Sequence, residues 1–364
     1  MNNQKLFEID ILRGIAALAV ITIHVTAYFT TIPVFSGVQI SMAYLDNLAG
    51  FAVPTFIFIS GIVLYKNYQS LNGEILKFYR KRFAKILPIY LLFSFGYFGV
   101  NILFNKLSGK EVHIDVFELI YKLVTGGAFY HLWYFGILFQ FYLLYPLLLK
   151  LYKKYKLNFL LCTFLIQFLW NNFGDNVIND TGKALGYDNF SFPFALSYIF
   201  WLVLGFYFLE NKDRILSMVN IKIGLFLILI LNVVKIMPLY YGLQLFKYES
   251  IPAEYFNVSK AVDPFFFLIE ILVVYKISLL ISNQKTQIMT IFKSIGGYSL
   301  EIYLIHALII RILFEVLARV NITPEGLSYY PIMWVLTIAL SYVFAVIYRI
   351  IDNRFKKPVP KKNN

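Results

Sequence analysis

Three residues in the first apolar stretch, IDILRGIAALAVITIHV, combine anion-binding and acid–base chemistry: Asp10, Arg13 and His24. Eleven residues at 100° each bring Arg13 and His24 to within about 20° of a common helix face, roughly 16 Å apart along the axis. Asp10 precedes Arg13 by one turn, the spacing of a helical ion pair. Arg13 alone also reads as a snorkelling residue at a membrane boundary. His24 lies deep in apolar sequence, where a histidine that shares a face with an arginine marks a functional site rather than packing. A neutral imidazole is the form required of a general base.

Four further segments carry polar groups that need an explanation. YRKRFAKILPIY holds Arg80, Lys81, Arg82, Lys85, Pro88 and Tyr90 and reads as a basic loop entering a helix. The guanidinium forks of Arg80 and Arg82 at such a helix start match phosphate oxygens, with ordinary positive-inside topology as the competing account and the better one for Lys81. FYHLWYFG places His131, Trp133 and Tyr134 at a helix entrance. Trp and Tyr there commonly form an interfacial belt, and His131 adds a titratable group suited to holding an acceptor. GGYSLEIYLIHALII puts Ser299, Tyr303 and His306 within two turns, with Tyr303 and His306 neighbours on one face. His306 is a second buried imidazole and a partner for the first helix. Ser60 and Gly61, with Pro54, in FAVPTFIFISGIVL suit close helix approach or a kink. His113 sits in a polar loop and reads as solvated.

The elements that must position these residues are membrane helices. Of 364 residues 59% are hydrophobic and 15% charged, with a mean hydropathy of +0.68, whereas a soluble domain carries about 25% charged residues. The composition excludes a soluble domain, and its 19% aromatic content excludes disorder, collagen and coiled coil. Continuous apolar runs of spanning length, unlike the alternating strands of a barrel, fall near 11–29, 48–65, 87–104, 132–149, 157–173, 190–209, 223–240, 264–282, 298–317 and 329–348. The expected fold is an all-α polytopic membrane protein of about ten transmembrane helices. Residues 1–352 form the membrane domain and 353–364 a basic cytoplasmic tail.

The net charge of +13 would suggest nucleic acid in a soluble protein. Here the cations follow topology instead: 23 of the 33 Lys and Arg lie on the side holding both termini, 7 on the other side and 3 within spans. Both termini are therefore expected in the cytoplasm. Glu8, Asp10 and Arg13 argue against reading the first span as a cleaved signal peptide. A lone Cys162 excludes an intrachain disulfide and a cysteine-based zinc site.

These residues resemble the acyltransferase-3 family of integral-membrane O-acyltransferases, which act on bacterial surface polysaccharides. The Arg-ten-residues-His spacing from Arg13 to His24 is that family's mark. PTFIFISG, RKRFAKILPIY, HLWYF and YSLEIYLIH follow in the family's order over nearly the whole chain. The resemblance implies transfer of an acyl group, most often acetyl, from cytoplasmic acyl-CoA to a sugar hydroxyl across a bacterial cytoplasmic membrane. The acceptor would be a glycan or a lipid-linked sugar. It implies acyl-CoA as co-substrate, with no permanently bound cofactor, no metal and no nucleic-acid partner, and assigns no oligomeric state. In that frame His24 is the general base, with Asp10, Arg13 and His306 beside it. Arg80, Arg82, Lys85 and Tyr90 would bind acyl-CoA, and Ser60, His131, Trp133, Tyr134, Ser299 and Tyr303 would position the acceptor. The alternatives are a polysaccharide exporter, for which the spans hold too few polar residues, and a catalytically idle subunit of a synthesis complex.

Overall fold

The computed structural model describes residues 6–30, 37–71, 73–111, 115–184, 193–246 and 253–355, and among them the regular elements are all helical. In chain order they are α1 (Phe7–Thr26), α2 (Gly37–Ala49), α3 (Ala52–Asn67), α4 (Ile75–Leu107), α5 (Val116–Thr125), α6 (Trp133–Ala184), α7 (Ile199–Met218), α8 (Ile221–Phe246), α9 (Ala253–Ser282), α10 (Gln287–Gly297), α11 (Ser299–Arg319) and α12 (Tyr329–Phe355). Short 3-10 turns at Ala27–Thr30 and Ala195–Tyr198 follow α1 and precede α7. His113 and the 356–364 part of the expected tail lie outside the described residues, and α12 continues to Phe355, three residues into that segment.

Each of the ten expected spans falls mostly on helical backbone where it is described, but the helices do not divide into ten. Six stretches are long and apolar enough to cross a membrane, or seven when α7 and α8 count together. Charge and continuity account for the difference. One stretch, Trp133–Gly174, covers two expected spans across a kink at Lys156, whose φ of 43° departs from helix. α11 carries Glu301, Arg311, Glu315 and Arg319, too many charges for a purely apolar span. The basic segment expected as a loop is helical as well: α4 begins at Ile75, so Arg80 and Arg82 stand inside the helix rather than at its N-terminus. Leu, Lys, Arg and Ala there favour helix, and their charge, which suggested a loop, does not oppose it.

The chain divides into two compact units, residues 1–52 with 219–364, and residues 53–218. In the first, α1 is the central element, packed by α2, α9, α10, α11 and α12. Glycine permits the closest of these contacts. A Cβ on Gly296 of α10 would stand 1.7 Å from the Asp10 carbonyl oxygen, and one on Gly14 would stand 2.3 Å from that of Phe292. α8 pairs with α9 around Ile228, Phe266 and Val273, and α11 pairs with α12. In the second unit α6 packs on α4, α5 and α7. There Gly61 of α3 and Gly205 of α7 meet each other's backbones, a Cβ on either approaching a carbonyl oxygen at 2.1 and 2.4 Å. This is the close approach that the Ser60-Gly61 pair suggested.

Candidate active site

In the first unit, α1 and α11 bring His24 and His306 together with ring centres 5.1 Å apart and planes inclined by 32°. His306 is fully buried and His24 half-buried. A carbonyl can only accept, so the 2.7 Å contact between His306 Nδ1 and the Tyr303 carbonyl places a proton on Nδ1. Tyr303 therefore serves His306 through its backbone, one turn earlier, while its ring lies 5.7 Å from the imidazole. Ser299 is buried at the start of α11, seven residues from His306, and is not brought to the imidazole pair.

The segment of α1 that carries His24 is braced on both sides. Thr22 donates to the Leu18 carbonyl and accepts the indole N–H of Trp334 at 2.9 Å. Thr26 donates to Asp46 of α2 at 3.1 Å. Beyond it, Tyr28 stacks on Phe314 of α11 at 5.0 Å. At the other end of the same helix, Arg13 pairs with Asp10 at 3.3 Å, as the spacing predicted. The glycine-mediated contact of α10 fixes the turn from Asp10 to Gly14 that bears this pair.

The second unit holds the remaining expected residues. Arg82 is half-buried, its guanidinium carbon 4.5 Å from the centre of the Tyr68 ring. Tyr68 in turn meets Phe78 edge-on, and Phe78 stacks on Tyr145, whose hydroxyl donates to the carbonyls of Leu64 and Tyr68. Arg80 and Lys85 are exposed, and Arg80 leaves α4 about 200° round from Arg82, so the two forks do not share a face. Tyr90 is buried and donates to the Leu123 carbonyl at 2.6 Å, tying α4 to α5.

His131, Trp133 and Tyr134 each turn to different aromatic neighbours. His131 is buried among Tyr97, Phe129 and Tyr130, at 5.3, 5.8 and 5.6 Å between ring centres. Trp133 stacks on Tyr198, and Tyr134 meets Phe56 edge-on. Ser60 donates to the Phe56 carbonyl one turn back at 2.8 Å.

Two polar clusters escaped the sequence reading. In the first unit, the buried Lys235 of α8 pairs with Asp263 of α9 at 2.6 Å and lies over the rings of Phe266 and Phe267. Asp46 and buried Glu270 lie within electrostatic reach of Lys235. A single cation in one expected span, with Asp263 and Glu270 seven residues apart near the next, was the available signal. In the second unit, Glu210 of α7 accepts from Tyr65, from Tyr152 at 2.8 Å and from Lys156 at 2.5 Å. That cluster secures the kink of α6. Among the described residues no group of three or more His, Cys, Asp or Glu is arranged to hold a metal.

Comparison with known proteins bears on this arrangement. An amino-acid racemase from Enterococcus faecalis is 33% identical over 131 residues, 35% of this chain but only 17% of the racemase. The chain thus spans about a sixth of that relative's length, and racemization is that protein's named activity. No solved structure matches. Residues 6–346 match a family described as an acyltransferase domain. That match starts at the N-terminus of α1 and runs into α12, across every helix that bears a residue discussed above, so the chain belongs to the acyltransferase-3 family.

Proposed function

We propose that the protein is an O-acyltransferase that moves an acyl group, acetyl in the first instance, from cytoplasmic acyl-CoA to a hydroxyl of an extracytoplasmic glycan or lipid-linked sugar. Its setting is the bacterial cytoplasmic membrane, with both termini inside. The observation that carries this reading is the pairing of His24 with His306 in a helix bundle, on the α1 face shared with Arg13. His24 accepts the proton of the acceptor hydroxyl as its oxygen attacks the thioester carbonyl carbon. The tetrahedral intermediate collapses, the carbon–sulfur bond breaks, and the departing thiolate takes the proton from His24. An ester and free CoA result. His306, held by the Tyr303 carbonyl, positions the His24 ring. Within the first unit Arg13 supplies the positive charge that attracts the anionic donor. Within the second unit the half-buried Arg82 and the exposed Arg80 and Lys85 carry charge of the same sign, suited to the same class of anion.

The experiment incubates membranes bearing the wild type or His24→Ala with radiolabelled acetyl-CoA and a crude extracytoplasmic glycan fraction, and counts alkali-sensitive ester. Label that depends on His24 is the expected result. Undiminished transfer by His24→Ala refutes the base assignment, and glycan export without any acyl-CoA requirement refutes the acyltransferase reading in favour of an exporter.

A further inference from the structure

His24 stands where burial ends along its side of α1. Val20 and Ile21, one turn earlier on that side, are buried, and so is the adjacent Val25. Ala27 and Tyr28 follow His24 by three and four residues and leave the helix within about 70° of it. Ala27 is exposed and Tyr28 half-buried. On this side of α1 the half-buried imidazole thus opens toward the C-terminal end of the helix. In the proposed orientation that end is extracytoplasmic, the direction from which an acceptor comes.

Tyr28 and His24 face the same neighbouring helix. His24 meets His306 and Tyr28 meets Phe314, so α11 accompanies α1 in parallel past both residues. Phe314 stacks on the Tyr28 ring at 5.0 Å with the planes 11° apart, and Tyr329 of α12 meets that ring edge-on at 6.1 Å. Contacts from two helices hold the ring and still leave the side chain half-buried. Glu315, next to Phe314, is exposed, and its carboxylate lies within electrostatic reach of the Tyr28 hydroxyl. Arg319, one turn further along α11, is exposed as well. Charged side chains are costly in hydrocarbon, so an exposed Glu315 and Arg319 mark this opening as facing water rather than lipid.

Tyr28 is one turn from His24, about 5 to 6 Å along the axis, a distance that one sugar ring bridges. A phenol hydroxyl both donates and accepts, and a carboxylate accepts at two oxygens, a combination that matches the neighbouring hydroxyls of a sugar. We propose that Tyr28 and Glu315 form the acceptor subsite. With one sugar hydroxyl at His24, another hydroxyl of the same residue or the next one bonds to the Tyr28 hydroxyl, and a further one donates to the Glu315 carboxylate. The two contacts hold the attacking oxygen in line with the imidazole that takes its proton. This assignment rests on the reading of the protein as an acyltransferase with an extracytoplasmic sugar acceptor.

The test measures initial rates of label transfer in membranes bearing wild type, Tyr28→Phe, Glu315→Ala or Glu315→Gln. The crude glycan fraction is varied at saturating acetyl-CoA, and acetyl-CoA at saturating glycan. Tyr28→Phe keeps the ring against Phe314 and Tyr329 and removes only the hydroxyl. Loss of one hydrogen bond should raise the KM for the glycan fraction about three- to tenfold in Tyr28→Phe and in Glu315→Ala, with the KM for acetyl-CoA unchanged. Glu315→Gln, which retains one acceptor oxygen, should recover part of the loss. An unchanged glycan KM in both Tyr28→Phe and Glu315→Ala, beside an active wild type, overturns this inference alone. So does an equal rise in both KM values, which would mark disturbed helix packing instead of a lost acceptor contact. A wild type that transfers nothing from acetyl-CoA to the glycan overturns the functional reading and this inference with it.

Discussion

His24 and His306, from opposite ends of the chain, meet with their ring centres 5.1 Å apart, and the Tyr303 carbonyl one turn back orients the His306 ring. His306 donates an Nδ1–H hydrogen bond to the Tyr303 carbonyl and is sealed from solvent. His24 is half-buried and sits between Thr22 and Thr26, each tied to a different helix. The division suits a reactive imidazole that must reach substrate beside a fixed one that limits its rotation.

The two imidazoles should therefore differ in the cost of their removal. General-base loss typically forfeits 10²–10⁴-fold in rate, so His24→Ala should abolish measurable transfer. His306→Ala, removing only positioning, should lower kcat by about tenfold to a hundredfold with little change in the KM for acetyl-CoA. Steady-state label transfer measures both. Equal losses would make His306 a partner in the chemistry, and no loss would reduce the ring contact to packing.

Bracing of α1 makes a second expectation. Asp46 accepts from Thr26, half a turn beyond His24. Asp46→Ala removes that acceptor and should lower kcat about three- to tenfold by loosening the end of the helix. Asp46→Asn keeps an acceptor oxygen and should restore most of the rate. The kcat ratio of the two variants is the readout. If Asn is as damaging as Ala, the charge rather than the hydrogen bond is what matters there.

Close packing of α10 on α1 separates two adjacent glycines. A Cβ on Gly296 would collide with the Asp10 carbonyl oxygen at 1.7 Å, whereas one on Gly297 meets nothing within 4 Å. Backbone on both sides of the Gly296 contact leaves no flexible side chain to yield. Gly296→Ala should cost about 1–3 kcal/mol or more and disturb the turn that holds Arg13. Gly297→Ala should be tolerated. Thermal unfolding of the detergent-solubilised protein, followed as loss of the monodisperse peak, distinguishes them, and equal midpoints would mean the helices part readily.

Much of this arrangement was legible in the sequence where one helix supplied all the information. The Asp10–Arg13 pair and the common face of Arg13 and His24 follow from the period of a single helix, and the imidazole of His306 was expected against the first span because both were buried histidines. The Arg80–Arg82 segment misled because charge was weighed above helix propensity, and α4 simply continues through it. Lys235, Asp263 and Glu270 each stand alone in apolar sequence, and only the packing of α8 on α9 joins them. The four members of the Glu210 cluster come from three helices, and only Tyr152 and Lys156, four residues apart on α6, share a helical spacing. Trp133 and Tyr134 read as a membrane belt because composition cannot tell a ring that faces lipid from one that faces a neighbouring helix.

The Lys235–Asp263 pair yields a prediction about stability rather than rate. Both groups lie in a helix pair with Asp46 and Glu270 within electrostatic reach, so Lys235 is the cation against which these carboxylates are set. Lys235→Met keeps most of the side-chain volume over Phe266 and Phe267 but leaves Asp263 without its partner. Breaking a buried pair from one side costs about 3–5 kcal/mol, while replacing both members with neutral groups is often close to neutral. The single substitution should therefore lower the unfolding midpoint sharply, and adding Asp263→Asn to it should recover a large part of the loss. Recovery measures the penalty of the uncompensated carboxylate. If the double variant is no more stable than Lys235→Met, the pair's contribution lies in the packing of the lysine stem and its contact with the two rings, not in the charge that it neutralises.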